Sequence, residues 1–396
     1  MELRQKQTIL YIITQGHWGG AQTYLYELAT GLNRRYNIHI AVGESLDTPD
    51  LQKKIQTFNQ GESAQNQISC ISLKHLVRPV SPAQDILAIF EMAKCIKTCE
   101  PDIIHLNSSK AGVLGSISAL FYRNPSKRVI YTVHGWVFNE ALGKTKKYLY
   151  KILEKLSAAF KTHIILLTKK DFSIVLNLLG ISKNKLRLIP LGASVQNHIL
   201  TKQEAKTQIN AYLPSNKKIL QDTFTIGIIA NLYHNKGIDI HLRALGLLSK
   251  TEIQNTKTII IGDGPERARL LKLSEDLHIK DFVHFLGFID KASCLLPAFD
   301  LCIIPSRKEG SPYILKEAII QNIPVLSSKV GDVEEYIIHK KTGLLAEPGN
   351  TDEWAAHIVW SLHNRQQLSS FSASNQKNIP SVDEMLKKTI EVYGTV

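Results

Sequence analysis

The sequence has few cysteines and no paired cysteine spacing. Its five cysteines are an odd number in 396 residues, and none belongs to a C-x-x-C pair. This argues against a disulfide framework and against a zinc cage, and it favours a reducing compartment. Cys95 and Cys99 could face one side of a helix, but no second ligand pair accompanies them. We therefore interpret them as core thiols and assign no metal to them.

Long apolar runs are also absent. The segment TILYIIT near the start is too short to span a bilayer, and it leads into GHWGGA rather than into a small-residue cleavage site. We therefore expect no transmembrane helix, no signal peptide and a cytoplasmic protein. The sequence also lacks repeats and low-complexity segments, and its 44% hydrophobic and 21% charged residues are typical of globular proteins.

Positive charge is what the sequence has in excess. Lysine and arginine number 48 against 35 aspartates and glutamates, which gives a net charge of +13. Such a surplus favours anionic partners: nucleic acid, phosphorylated metabolites or an anionic membrane face. No recognisable nucleic-acid-binding module accompanies the charge, so we expect no nucleic acid among the partners.

Short β-branched runs alternate with amphipathic stretches along the chain, a pattern typical of βα units with parallel sheets covered on both faces. The series restarts after LRLIPLGASV, where a polar segment from about residue 197 to 222 precedes the strand FTIGIIA. We predict an α/β fold with two doubly wound, Rossmann-like domains facing across a cleft, residues 1–197 and 198–379. The predicted strands are TILYIIT, IHIAVG, PDIIHLN, RVIYTVHG, THIILLT, LRLIPLG, FTIGIIANL, KTIIIGDG, VHFLGF, DLCIIPS and IPVLSS.

Two strand ends of the first domain carry candidate ligand-binding residues. Gly16, Gly19 and Gly20 follow the first strand, where backbone N–H groups can approach a phosphate or a sugar. A tight turn is one alternative, and a dinucleotide site that uses Glu44 after the second strand is another. VIYTVHG ends a strand on His134, which points toward the rim where ligands gather, although a lone histidine is more often structural.

The second domain has three such strand ends. Lys236 in NKGID lies beyond the first strand, where its ammonium either binds a phosphate or is merely solvated. IIIGDGPERARLL adds a glycine-rich turn with Pro265 in the first helical turn. In SRKEGSPYILKEA, Glu309 follows a strand, a helix begins at Pro312, and Glu317 lies about one and a half turns into that helix.

Two carboxylates on either side of a helix N-terminus suit a nucleotide sugar. The diphosphate would lie at the helix start, one carboxylate would accept the ribose hydroxyls, and the other would accept the sugar hydroxyls. The alternative is two surface glutamates, one of which simply favours the helix.

Taken together, these stretches resemble the retaining, nucleotide-sugar-dependent glycosyltransferases of family 4, which have the GT-B fold. The motifs follow one another in the family's order over nearly the whole chain: GHWGGAQTYL, PDIIHLNSSKAGVLG, YTVHGWVF, LIPLGASV, NKGID, IGDGPE, FLGF, EGSPYILKEA and LKKTIEVYG. The resemblance implies transfer of a hexosyl or N-acetylhexosaminyl group from a nucleoside-diphosphate donor, with UDP favoured, to an acceptor hydroxyl. The acceptor would be a surface glycan or a lipid-linked oligosaccharide.

The resemblance also assigns roles to residues. Lys236 would bind the donor diphosphate, Glu317 the ribose and Glu309 the transferred sugar, while His134 would lie near the reaction centre; Lys236, Glu309 and His134 are the predicted catalytic residues. The other predicted donor-binding residues are Asn231, the backbone donors Ser311, Tyr313 and Ile314, the phosphate loop residues Gly19 and Gly20, and Gly264 and Phe288 of the base pocket. The chain contains no D-x-D signature, so we expect no metal cofactor.

Two departures from the family pattern bear on activity. Asn231 stands where the family commonly has an arginine, which leaves one cation in that loop unless Arg307 or Lys308 compensates. Pro312 removes one backbone donor. A catalytically weak nucleotide-sugar-binding subunit is therefore an alternative, as is a nucleotide-sugar isomerase on the same fold. An NAD-dependent oxidoreductase would leave both glutamates and the lysine without a role.

Two helical stretches lead to further expectations. The resemblance implies that the C-terminal helix, residues 380–396, packs back on the first domain. In GKTKKYLYKILEKLSAAFKTH, an apolar stripe and a row of lysines recur at helical spacing. The stripe comprises Leu149, Ile152, Leu153, Leu156 and Phe160, and the lysines are Lys147, Lys151 and Lys155. The stripe either packs on the sheet or, with the lysines, docks the protein peripherally on the inner face of a membrane, which is our hypothesis.

Overall fold

The computed structural model describes residues 6–43, 50–139, 142–193, 199–371 and 379–394. The chain divides into two compact units. The first runs to Gly192 and resumes at Val382, and the second spans Ala193–Ser381. The predicted junction at residues 197 and 198 lies outside the described residues, and so does Glu44.

The first unit is built on a parallel sheet. Its strands are β1 Thr8–Ile13, β2 Asn37–Gly43, β3 Ser69–Leu73, β4 Ile103–Asn107, β5 Arg128–Val133, β6 His163–Leu166 and β7 Leu186–Leu188. They lie in the order β3-β2-β1-β4-β5-β6-β7, and their pairings are parallel. The chain winds outward from β1 to β3 and then crosses back to β4, so the strand order reverses between β1 and β4.

Helices cover this sheet because their apolar residues recur on one side. They are α1 Gly20–Leu32, α2 Asp50–Asn59, α3 Pro82–Cys99, α4 Ser109–Ser118, α5 Lys144–Ser157 and α6 Lys169–Ile174. The core between sheet and helices is mainly aliphatic, with Leu10, Ile12, Ile104 and Leu106 fully buried on the central strands.

The second unit repeats the architecture. Its strands are β8 Phe224–Ile229, β9 Thr256–Ile261, β10 Val283–Gly287, β11 Leu301–Ile304, β12 Val325–Ser328 and β13 Leu344–Ala346. Their order is β10-β9-β8-β11-β12-β13 with parallel pairing, and it reverses between β8 and β11. The helices are α7 Lys202–Ala211, α8 Ile238–Gly246, α9 Lys250–Ile253, α10 Arg267–Asp276, α11 Tyr313–Ile320, α12 Val333–Tyr336, α13 Thr351–His363 and α14 Arg365–Ser370.

The last described helix, α15 Val382–Tyr393, belongs to the first unit. Its Leu386 packs over Gly31 of α1, where a Cβ atom would crowd the leucine side chain. Tyr393 is fully buried, and its hydroxyl bonds His105 Nδ1 at 2.7 Å and the Tyr11 hydroxyl at 3.1 Å. A buried polar network therefore joins α15 to β1 and β4.

The predicted fold class, two doubly wound α/β domains, is confirmed. Two strands were not predicted from the sequence, β3 and β13, and both lie at sheet edges. Edge strands are short and lack the continuous apolar run of a buried parallel strand, as SCISL in β3 illustrates. The predicted helix starts were also early: α10 begins at Arg267, after Pro265, and α11 begins at Tyr313, with Pro312 as its N-cap.

The apolar stripe of α5 is not buried against the sheet. Leu149, Leu153 and Leu156 are 55%, 36% and 63% exposed, and only Glu154 and Ser157 of this helix are buried. The alternative of a stripe packed on the sheet is therefore wrong for these leucines. No described helix has both the length and the apolar character that crossing a bilayer requires.

Candidate active site

Three predicted site residues of the second unit follow neighbouring strands at one edge of the sheet. Lys236 follows β8, Gly264 follows β9 and Glu309 follows β11. Because the strands are parallel, these loops all emerge at the carboxyl edge, and β8 and β11 flank the point where the strand order reverses. In open α/β sheets that reversal opens a crevice between loops, which is the usual place for a ligand.

Lys236 and Glu309 are in direct contact at this point. Lys236 Nζ lies 2.6 Å from Glu309 Oε1, and the Ser306 hydroxyl donates to the same oxygen at 2.7 Å. The two charged side chains are 26% and 12% exposed. Within the described residues Glu309 Oε2 has no hydrogen-bond partner, so this oxygen is available to a ligand while Oε1 is held in place.

A glycine brings the lysine loop close to the end of β11. Lys236 ends a short 3₁₀ turn, and Gly237 follows it with φ of +64°. A Cβ atom at Gly237 would overlap the Pro305 carbonyl oxygen. Only glycine combines this conformation with this approach, and the approach sets the ammonium beside Glu309.

The neighbouring arginine is already paired. Arg307 donates from Nη1 and Nη2 to the two carboxylate oxygens of Asp239, each at 2.7 Å, and from Nη1 to the His234 carbonyl at 3.0 Å. Burial alone would raise the pKa of Asp239, but the hydrogen bonds and charge of Arg307 hold it below its ordinary value. Arg307, one of the two cations suggested to compensate for Asn231, therefore has its charge matched by Asp239.

The loop after Glu309 leads into the start of α11. Pro312 is the N-cap and offers no side-chain hydrogen bond to the first turn, which contains Tyr313 and Ile314. The N–H groups at a helix start favour an anion. Ser311 turns its hydroxyl inward, where it donates to Asp332 at 2.6 Å, so its backbone is the part that remains for a ligand.

Glu317 lies on α11 and is partly buried. Burial raises the pKa of its carboxyl group, and a hydrogen bond with Ser293 opposes the rise. Hydroxyl groups that donate to this carboxylate would stabilise its charged form further. Glu317 is therefore suited to accept hydrogen bonds from a ligand such as a ribose.

The turns after β8, β9 and β10 lie side by side. Asn231 is the second residue after β8, and Leu232 N donates to the Asp263 carbonyl at 2.9 Å, next to Gly264. Gly262 N donates to the Gly287 carbonyl at 2.8 Å. Phe288 follows β10 with its ring 54% exposed. A ring offered to solvent beside a glycine turn can stack against a planar base.

The first unit carries its candidate residues at the matching edge. Gly19 is the N-cap of α1 and Gly20 its first residue; no side chain caps this helix. Asn107 ends β4 and Ser108 follows it, and the Ser108 hydroxyl bonds Thr14 at 2.7 Å. The carboxyl ends of β1 and β4 thus meet at the strand reversal of this sheet as well.

His134 follows β5 and has a defined tautomer. Asn107 Nδ2 donates to the His105 carbonyl at 3.2 Å, which turns Asn107 Oδ1 toward His134 Nε2, also at 3.2 Å. An amide oxygen only accepts, so Nε2 carries the proton and Nδ1 is left as an acceptor. Burial lowers the pKa of His134 to about 4, and the ring packs edge-on against Tyr24 with centroids 5.0 Å apart.

Two family models match the sequence. The model described as Glycosyltransferase Family 4 matches residues 18–197, and the model described as Glycosyl transferases group 1 matches residues 213–378. Between them they cover most of the chain. The chain belongs to the family 4 glycosyltransferases. The resemblance drawn from the motifs is confirmed.

Named glycosyltransferases are similar in sequence to this chain over most of its length. The UDP-Gal:alpha-D-GlcNAc-diphosphoundecaprenol alpha-1,3-galactosyltransferase of Escherichia coli is 27% identical over 289 residues, 72% of each chain. The O-antigen biosynthesis glycosyltransferase WclY of Escherichia coli is 24% identical over 87% of this chain and 90% of its own. The structure of Anabaena Alr3699/HepE in complex with UDP and glucose shares the fold, with a TM-score of 0.77 at 20% identity, over 98% of this chain and 99% of that one.

In this glycosyltransferase the structure brings some of the predicted site residues into contact, and it shows two further residues that orient them. Lys236 and Glu309 touch, whereas His134, Gly19 and Gly20 belong to the first unit. Sequence reasoning missed Ser306 and Asn107, which orient Glu309 and His134. Both directly follow or end a predicted strand, so the reasoning that selected His134 could have found them. Among the described residues, no three His, Cys, Asp or Glu side chains are grouped as a metal site would need.

Proposed function

We propose that the protein transfers a sugar from a UDP-sugar to an acceptor hydroxyl and retains the anomeric configuration. The observation that carries the proposal is the Lys236–Glu309 pair at the strand reversal of the second sheet, 2.6 Å apart. It sets a cation for a diphosphate beside a carboxylate for a sugar. The relative named for UDP-Gal and the structural neighbour bound to UDP and glucose support UDP as the nucleotide.

The donor would use the carboxyl edge of the second sheet from end to end. Its diphosphate would meet Lys236 and the first turn of α11, and its ribose hydroxyls would donate to Glu317. Glu309 Oε2 would accept a hydroxyl of the transferred sugar, and the base would lie against the Gly264 turn and the Phe288 ring. In the first unit, His134 Nδ1 is an acceptor suited to a sugar hydroxyl.

The reaction would break the bond between the anomeric carbon and the diphosphate oxygen. The acceptor oxygen would bond to the same face of that carbon, and its proton would pass to the departing phosphate, which becomes the base. Lys236 and the α11 N-terminus would stabilise the negative charge that develops on the diphosphate. We propose that no metal is needed for this step, which predicts full activity of the protein after EDTA treatment.

A donor screen with the full-length protein tests the proposal. UDP-glucose, UDP-galactose and their N-acetylamino counterparts, with GDP-mannose for comparison, are incubated with and without simple acceptors, and released nucleotide is measured. We expect UDP release from at least one UDP-sugar, and NMR of the product should show the donor's anomeric configuration. Conversion of the donor without nucleotide release would instead identify an isomerase. Binding of UDP with no turnover of any donor would identify a silent subunit.

We propose further that the acceptor lies at the inner face of a membrane and that α5 docks there. The apolar face of α5 is exposed, with Tyr148 at 68% and Leu156 at 63%, and exposed Leu178 lies on the adjacent helical segment. Of the predicted lysines, Lys155 is exposed and Lys147 and Lys151 are half-buried, while Lys144 and Lys146 of the same helix are exposed as well. Each well-placed cation contributes about 1 kcal/mol of attraction to anionic lipid. The lipid-linked substrate named for the Escherichia coli galactosyltransferase is consistent with such an acceptor.

Vesicle flotation tests the docking proposal. Wild-type protein should float with anionic vesicles at low salt and less so as salt is added. Changing Lys144, Lys146 and Lys155 together to glutamate should abolish flotation. The matched control changes Lys250, Lys272 and Lys280, which are exposed lysines of the second unit, together to glutamate. This variant should float as the wild type does. An equal loss of flotation in both variants would show that the net charge of the protein, and not α5, causes the attraction to anionic vesicles.

A further inference from the structure

A lysine is buried directly beneath the loop that carries Glu309. Lys316, in the first turn of α11, has no exposed side-chain surface, and its Nζ donates to Ser311 Oγ at 2.7 Å and to Asp332 Oδ2 at 2.8 Å. The Ser311 hydroxyl donates to the same Asp332 oxygen at 2.6 Å. We call Ser311, Lys316 and Asp332 the loop anchor, because they tie the loop, the helix and the turn before α12 together.

The backbone of that turn also presses against the loop. Gly331 has φ of +57°, and a Cβ atom there would overlap the Gly310 carbonyl oxygen and approach the Glu309 carbonyl oxygen at 3.2 Å. The backbone of Glu309 and Gly310 thus lies against Gly331 of this turn, and the Ser311 hydroxyl is bonded to the side chain of the next residue in the turn, Asp332. Any displacement of the turn would move the loop with it.

Burying the charged groups of the loop anchor costs free energy that apolar side chains in the same place would not cost. Burial lowers the pKa of Lys316 although Asp332 opposes the shift, and buried Asp332 Oδ1 lacks a hydrogen-bond partner among the described residues. Apolar side chains of similar volume are often as stabilising as a buried ion pair, or more so. What an apolar pair could not provide is a fixed position for the Ser311 hydroxyl, because only charged and polar partners bond it directionally.

We propose that Ser311, Lys316 and Asp332 are positioning residues that hold the Glu309–Ile314 loop in the geometry required for sugar transfer. The inference rests on the proposed function, in which this loop contacts the transferred sugar. The inference predicts different effects of the loop anchor on the rate of sugar transfer and on nucleotide binding. The loop anchor affects the rate of sugar transfer more than it affects nucleotide binding, because the nucleotide is also held by Lys236 and Glu317, which lie outside the anchored loop.

The first unit contains a chemically matched cluster for comparison. Lys161 is also fully buried, donates to the Ser157 hydroxyl at 2.8 Å and lies 3.6 Å from Glu154. Each lysine also lies over a tyrosine ring, Lys161 at 4.3 Å from the centroid and Lys316 at 4.6 Å. The Lys161 cluster touches no predicted site residue, so it reports the effect of removing a buried ion pair alone.

The test compares three variants of the full-length protein. Ser311→Ala removes the hydroxyl without touching a charge, Lys316→Met/Asp332→Leu replaces the buried pair with apolar side chains, and Lys161→Met/Glu154→Leu is the control. We measure the unfolding temperature, UDP affinity by calorimetry, and kcat for UDP release from the donor found in the screen. We expect kcat to fall ~10-fold or more in the first two variants with UDP affinity within about twofold of wild type. The control should keep wild-type kcat.

Wild-type kcat in Lys316→Met/Asp332→Leu would overturn the inference, and so would an equal loss of kcat in the control. A second measurement does not require turnover. Hydrogen exchange of the Gly310, Ser311, Tyr313 and Ile314 amides should be at least ~10-fold faster in Ser311→Ala and in the Lys316 double variant, with the amides of β8 unchanged. Unchanged exchange at these four amides would also overturn the inference. If the wild-type protein releases no UDP from any donor, the proposed function fails, while the exchange result still decides whether the anchor holds the loop.

Discussion

The two sheets share one topology but differ in the chemistry at their strand ends. Around the reversal of the first sheet the strand-end side chains that bond one another are neutral, namely Thr14, Asn107, Ser108 and His134, and the charged pair there, Lys110 with Asp85, joins the start of α4 to α3. Around the reversal of the second the structure gathers charged groups: Lys236, Asp239, Arg307 and Glu309. The fold fixes where ligand-binding loops emerge, and the residues placed there decide what those loops can bind.

This difference matches the two halves of the proposed reaction. A diphosphate needs cations and oriented N–H groups, which the second sheet supplies. Hydroxyl groups of a sugar or an acceptor need neutral donors and acceptors with fixed orientation, which the first sheet supplies through His134 and Asn107. The charges of the second sheet are paired with one another, and pairing keeps the cost of their partial burial low.

The largest effect should come from separating Lys236 and Glu309. Lys236→Met leaves the Glu309 carboxylate, 12% exposed, without its cation, and Glu309→Gln removes the partner of the lysine. Each single change should lower kcat/KM ~100-fold or more. Because each change also disables the other residue, the double variant should be little worse than either single one. Losses that add in a double-mutant cycle would contradict this coupling.

The same sheet provides a matched control pair. Lys202 and Asp300 also lie 2.6 Å apart, and Asp300 precedes β11, at the amino edge of the sheet. Lys202→Met and Asp300→Asn should therefore leave kcat/KM unchanged. A loss at this edge as large as at the carboxyl edge would show that ion pairs in this unit act through stability and not through position.

The positions of Lys236 and Glu309 could be predicted from the sequence, because βα alternation fixes the direction of every strand and sends both residues to the same edge. The partners of Arg307 and Lys316 could not be predicted in this way. Asp239 and Asp332 lie 68 and 16 residues from Arg307 and Lys316, the side chains they bind. Lys316 looks like an ordinary surface lysine in PYILKEA, since its burial depends on a turn whose position the local pattern does not encode.

A smaller effect is expected at the ribose carboxylate. Glu317→Gln should weaken UDP binding by roughly 1.5–3 kcal/mol, the value of a hydrogen bond to a charged group, with little change in kcat. Burial raises the pKa of Glu317, so in wild type UDP affinity should decrease as the pH falls toward that raised pKa. Calorimetry from pH 7.5 down to 5 measures both. The pH dependence should be weaker in Glu317→Gln, and an identical dependence in both proteins would exclude Glu317 as its source.

A change in the buried polar network of the first unit should affect the stability of the protein and not its activity. Tyr393→Phe removes the hydroxyl that bonds His105 and Tyr11, and it leaves those buried groups unsatisfied. The free energy of unfolding should fall by about 1–3 kcal/mol, as urea denaturation would show. Tyr212→Phe, at a tyrosine that is 56% exposed, is the control and should change it little. A stable Tyr393→Phe variant would mean that α15 is held by apolar contacts only.

The smallest expected effect concerns the neutrality of His134. Burial lowers its pKa to about 4, so the ring stays neutral from pH 8 down to pH 6, above the pH at which it would take up a proton. The groups facing it do not alter this: Asn107 and the Tyr24 ring are neutral, and burial lowers the pKa of nearby His105 to about 3. His134→Asn should therefore lower kcat without changing the shape of the pH–rate profile between pH 6 and 8. If a limb of the wild-type profile in that range disappeared in His134→Asn, His134 would titrate during turnover, and the first sheet would contribute a charge to catalysis as the second does.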